Sequence, residues 1–104
     1  MFNINGEDWR VLLVSPNHPQ LRALDGFLAL GVCNDNNKTI YINDEVTLSK
    51  RKKILCHEIT HAAMFSYNID LSLEQEELLA DLIATYGQEI VHITNQIFNR
   101  IKKK

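Results

Sequence analysis

A chain of 104 residues with a hydrophobic fraction of 45% holds one globular domain with a modest core. Its formal net charge of −2 argues against a general nucleic-acid binder. No N-terminal apolar run resembles a signal peptide and none approaches the roughly 20 apolar residues of a membrane span, so a cytoplasmic chain with no membrane partner is expected.

Trp9-Arg10-Val11-Leu12-Leu13-Val14 is a strand candidate, ended by Ser15-Pro16. Residues 17–26 carry Pro19 and Asp25-Gly26 and read as a loop with at most one helical turn. Phe27 to Cys33 reads as a second strand and Asn34 to Asn37 as a turn. Thr39-Ile40-Tyr41-Ile42-Asn43 alternates β-formers and reads as a third strand, paired with the second as a hairpin. Thr47 or Ser49 then caps a helix to about Tyr67, with Leu55, Ile59, Ala62 and Ala63 as its core face. Ser72-Leu73-Glu74-Gln75 has the form of a capping box and opens a final helix to about Arg100. Its apolar stripe is Leu79, Ile83, Tyr86, Ile90, Ile93 and Ile97, with Gly87 as a weak point. Three strands followed by two long helices is an α+β order, expected as a single domain over residues 1–104 with a small three-stranded sheet.

Several features have ordinary readings. Cys33 and Cys56 are expected to be reduced, buried thiols. Lys50-Arg51-Lys52-Lys53 reads as a solvated face and Lys102-Lys103-Lys104 as a solubilising tail. His18 and His92 are lone histidines.

His57-Glu58-Ile59-Thr60-His61 does not have an ordinary reading. It is an H-E-x-x-H inside the apolar flanks Ile54-Leu55-Cys56 and Ala62-Ala63-Met64-Phe65. Residues four apart share a helix face, so the two imidazoles can close on one zinc ion. Glu58 follows the first histidine, so its carboxylate can reach a water held at the metal without ligating the metal itself. That is the residue set of metal-assisted peptide hydrolysis. Two histidines and a glutamate in a buried helix also need partners, which a metal would provide.

A catalytic zinc has three protein ligands and an open position. The final helix offers the third. On a helical wheel Glu77, Asp81, Ala84 and Gln88 cluster within about 60°, across from the large aliphatic residues. Ala80 and Ala84 are small enough to admit the histidine helix. Glu74 and Glu76 are rivals, and Glu76 borders the aliphatic stripe, an odd place for a free carboxylate.

The set His57-Glu58-x-x-His61-Ala62 followed by Glu77-x-x-x-Asp81-x-x-Ala84-Thr85 resembles the gluzincin clan of zinc metallopeptidases. In compactness and motif spacing it is most similar to the minigluzincins and the ImmA/IrrE-type peptidases. The resemblance implies that His57, His61 and Glu77 ligate zinc, that Glu58 is the base and that Asp81 holds the ring N–H of His57. Larger gluzincins take a transition-state stabiliser from a further domain. Here the candidates are Tyr67, Tyr41 and His92.

The expected function is zinc-dependent endopeptidase action on a protein or peptide substrate. The substrate would add to an exposed strand edge, for which Thr39 to Asn43 is the candidate. The alternative is a non-catalytic zinc-binding regulatory or interaction module that retains the site; a structural site with four protein ligands would leave Glu58 without a role. The sequence does not fix the oligomeric state.

Overall fold

The computed structural model describes residues 1–22 and 28–102. It is α+β, as expected, but its sheet has four strands rather than three, in the order β1 (Phe2–Ile4), β2 (Glu7–Val14), β4 (Thr39–Asn43), β3 (Gly31–Asn34). The additional strand is β1, Phe2–Ile4, which pairs antiparallel with β2, Glu7–Val14. Asn5 and Gly6 join them, and both have positive φ (50° and 82°). A two-residue turn of that conformation matches the twist of the flanking strands, and Asn-Gly is its preferred sequence.

After β2 the chain makes a short 3-10 turn, Pro19–Leu21, where a helical turn was anticipated. His18 caps it, its Nδ1 accepting from the Gln20 N–H at 3.1 Å. The second strand, β3, covers only Gly31–Asn34. Of the wider expectation, Phe27 lies outside the described residues, and Leu28 makes only an isolated bridge with Arg22. The hairpin to β4, Thr39–Asn43, is present, with Gly31 opposite Ile42 and Asn34 opposite Thr39.

The place of β4 overturns one expectation. It is not an edge. It pairs in parallel with β2 on one side and antiparallel with β3 on the other, and all five of its residues are buried. A strand with both edges occupied has no backbone groups left for a peptide. Among the described residues, β3 has a partner on one side only.

Helix α1, Leu48–Ser66, lies on one face of the sheet. Trp9, Ile40, Ile42 and Ala62 form the buried centre, with Phe2, Ile4, Cys33, Ile54 and Ile59 packed around it. Of the expected helical core face, Ile59 and Ala62 hold these places, whereas Leu55 and Ala63 are half-buried. Both ends of α1 are tied. Arg51 is not simply solvated: its Nη2 donates to the carbonyls of Asp44 and Val46 at 2.9 and 3.2 Å. At the other end the Trp9 indole donates to Ser66 Oγ at 2.8 Å, and the Asn5 amide donates to the Ser66 carbonyl at 3.0 Å.

Helix α2, Leu73–Ile101, is unbroken through Gly87. Ser72 and Gln75 form the full capping box. Among the described residues α2 packs against α1, antiparallel to it, and not against the sheet. The structure therefore has three layers, sheet, α1 and α2, and α1 is sandwiched.

The Trp9–Ser66 hydrogen bond is buried, so its loss should be costly. Ser66→Ala leaves the indole N–H unpaired and should reduce unfolding stability by about 1–3 kcal/mol in urea titration. A change within a few tenths would mean that this contact does not anchor α1.

Candidate metal centre

Each helix supplies its part from one short segment. On α1, His57 and His61 are one turn apart with their ring centroids 4.8 Å from each other. They face α2 because Ile59 and Ala62, well round the helix from them, pack into the sheet core. On α2, Glu76, Glu77 and Asp81 lie opposite them. Ala80 is fully buried between the helices, and its small side chain permits their close approach.

The outer nitrogen of each ring is held by a carboxylate. His57 Nδ1 lies 2.9 Å from Asp81 Oδ1, and His61 Nδ1 lies 2.6 Å from Glu76 Oε1. An ionised carboxylate only accepts, so both rings carry their proton on Nδ1 and turn an Nε2 lone pair inward. The two Nε2 atoms are 3.1 Å apart. Glu77 closes the triangle, with Oε2 at 3.2 Å from His57 Nε2 and Oε1 at 3.0 Å from His61 Nε2. Three acceptor groups thus converge, with their ligand atoms within 4.8 Å of one another, an arrangement that a bound cation satisfies. A tetrahedral zinc with ligands at about 2.0–2.1 Å separates them by roughly 3.3 Å, close to the spacings found. The donor set fits a divalent metal.

Glu58 lies beside this triangle and is not part of it. It is buried, and Gly31 of β3 passes close beside it. A Cβ at Gly31 would fall 2.6 Å from Ile54 Cγ2 and 3.2 Å from Glu58 Cγ. Only glycine lets the strand approach the helix this closely. Burial pushes the Glu58 carboxyl above the usual carboxylate range; His57 and His61 oppose the rise, and Glu77 adds to it. Cys33, next but one along β3, lines the cavity shared by Glu58, His61 and Glu77. Burial, reinforced by Glu58, pushes its thiol up to about 12, and its sulfur is not among the atoms that converge with those of His57, His61 and Glu77.

The structure thus brings together His57, Glu58, His61, Glu77 and Asp81. It does not bring Tyr41, Tyr67 or His92 to them. Tyr41 alternates with the inward-facing Ile40 and Ile42, so it lies on the far face of the sheet, where it stacks on His18 and its hydroxyl accepts from Asn37. Tyr67 is the C-cap of α1, six residues past His61, and is exposed. His92 lines a groove with Cys56 and Ile83, fifteen residues past Glu77 and so about 22 Å along the helix.

Two residues of the centre were not anticipated in their roles. Glu76 was a rival ligand and is instead the partner of His61; its position at the border of the aliphatic stripe was the signal. Gly31 was read only as part of a strand, although a glycine inside a strand pattern marks close backbone approach.

A family model, that of the IrrE N-terminal-like domain (peptidase M78), matches residues 20–91. The chain belongs to this family. The resemblance to ImmA/IrrE-type peptidases is borne out, and the matched span contains His57 and His61, the α2 carboxylates Glu76, Glu77 and Asp81, and β3. No curated protein and no solved structure gives a significant match.

The geometry separates the three carboxylates. Glu77→Ala should abolish tight metal binding, whereas Glu76→Ala and Asp81→Ala should each weaken it about 10–100-fold. Zinc titration against a competing chelator reads all three. Equal losses for Glu76 and Glu77 would mean that Glu76 ligates.

Proposed function

We propose that the chain is a zinc-dependent metalloendopeptidase. The observation that carries this reading is the buried Glu58 set directly against the His57–His61–Glu77 triangle, on the side facing β3. A structural site needs no such residue. When bound, zinc supplies Lewis acidity, lowering the pKa of a water and polarising a carbonyl. His57, His61 and Glu77 hold the ion, while Glu76 and Asp81 fix the ring orientations. Glu58 takes the proton of the attacking water onto a carboxylate oxygen and passes it to the amide nitrogen as the C–N bond breaks.

The substrate is a peptide segment that adds to the outer edge of β3, Gly31–Asn34, rather than to β4. Strand addition gives backbone hydrogen bonds along that edge, and side chains alternate between the cleft and solvent. A cavity of about 250 Å³ lined by Leu30, Gly31, Lys53, Ile54 and Ala84 opens beside His57 and Glu58 and would receive one such side chain.

Glu58→Gln tests the mechanism and separates it from a non-catalytic zinc module. The change is nearly isosteric and removes the ability to accept a proton. Zinc content and folding should be unchanged, while hydrolysis of a mixed peptide library should fall by several orders of magnitude. Chelation of wild-type protein should abolish turnover, and added zinc should restore it. A wild type that loads zinc and cuts no peptide would establish the module instead.

A further inference from the structure

The metal centre accounts for one face of α2 and, among the described residues, leaves another without a partner. Glu77, Ala80, Asp81 and Ala84 face α1, and the large aliphatic stripe runs along a different face of the same helix. From Gln88 to Lys102 every residue is exposed. Tyr86, Ile90, Ile93 and Ile97, all on that stripe, are each 44–55% exposed, too much apolar surface on one solvated helix to leave unexplained.

Two whole-molecule quantities give the same result. The accessible surface is 7544 Å², about 1,500 Å² above the roughly 6,000 Å² of a compact monomer of 12.0 kDa. The radius of gyration is 15.8 Å, against about 13 Å for a compact chain of this length. The excess is more than the ~800 Å² that each partner contributes to a stable interface.

Spacing and charge indicate what covers it. Ile83, Ile90 and Ile97 recur every seven residues, with Leu79, Tyr86 and Ile93 four residues before each. This is the a/d pattern of a coiled coil, with β-branched residues at all three a positions. Glu89 is the only Asp, Glu, Lys or Arg from Leu82 to Asn99, so two copies meet with little charge repulsion. A membrane-surface helix would instead carry lysine or arginine on its polar face, where Gln88, His92, Asn95 and Asn99 stand here. No described helix is long and apolar enough to cross a membrane. We infer that α2 pairs with α2 of a second copy through the Leu79–Ile97 stripe, making the chain a dimer with its two metal centres outside the seam.

Sedimentation equilibrium of the full chain between about 1 and 200 µM tests this. A dimer of twice 12.0 kDa is expected, with half-association at or below about 10 µM, and at least 100-fold weaker association in Ile90→Lys/Ile97→Lys. That variant should keep its helical circular dichroism and its zinc uptake, because both positions lie beyond the α1 contact. A wild type that stays monomeric at 200 µM overturns the inference. So does a dimer that the variant leaves intact, or a monomer that binds anionic vesicles through this face. Hydrogen exchange on wild-type protein is the second reading, independent of whether the variant folds. Amides of residues 86–101 should exchange more slowly at 200 µM than at 1 µM, and equal rates would overturn the proposal.

Discussion

Two Nε2 lone pairs held 3.1 Å apart are the constraint around which the helical layer is arranged. Glu76 and Asp81 create it by fixing the proton of each ring on the outer nitrogen. Glu77 adds a third acceptor, so the inner triangle is electrostatically incomplete without a cation. Three carboxylates within six residues of one helix also repel one another. Of the three, Glu76 lies in the first turn of α2, where the helix dipole favours an acidic group. Docking of α2 on α1 would consequently be coupled to metal binding: an ion held by the assembled pair of helices would stabilise it by mass action.

The sheet sets the other side of this arrangement. With Ile54, Ile59 and Ala62 committed to Trp9, Ile40 and Ile42, α1 has one rotational setting, and that setting turns His57 and His61 toward α2. Ser66 fixes the end of the helix through the Trp9 indole and the Asn5 amide. Glu58, next to His57 in sequence and about 100° away around the helix, is carried toward β3 instead. One helix therefore presents metal ligands to one neighbour and a carboxylate to the other. The absent Cβ at Gly31 makes room for that carboxylate.

Local signals were legible in the sequence where the physics is local. The i, i+4 histidines, the Ser72 capping box and the alternation of Thr39–Asn43 each depend on residues within a few positions, and each was read correctly. The β1–β2 hairpin is just as local: Asn5-Gly6, flanked by the alternating apolar residues Phe2 and Ile4 on one side and Trp9 and Val11 on the other, announces it, although the expected three-stranded sheet did not include it. What the sequence could not order was tertiary. Alternation says that Thr39–Asn43 is a strand, but not that β2 pairs with it in parallel and closes its edge. Glu76 and Glu77 are adjacent, and a wheel separates them by direction without saying which edge of an imidazole each meets. In the fold they straddle His61, one at each ring nitrogen. That outcome depends on how α2 lies against α1, which no periodicity of α2 alone contains.

The same placement gives Glu58 a position that chemistry can use. It lines two cavities: the one beside Gly31 and Ile54, and a second of about 290 Å³ bounded by Cys33, His61, Phe65 and Leu73. Gly31 and Cys33 are two residues apart on the same face of β3, about 7 Å along the strand. A peptide paired with the free edge of β3, as proposed, would run past Gly31 and Cys33 with a cavity at each level and Glu58 between them. The backbone bond nearest the carboxylate would then be set by strand register alone. Side-chain fit would decide which peptides bind, and the geometry of β3, Gly31 and α1 would decide where they are cut.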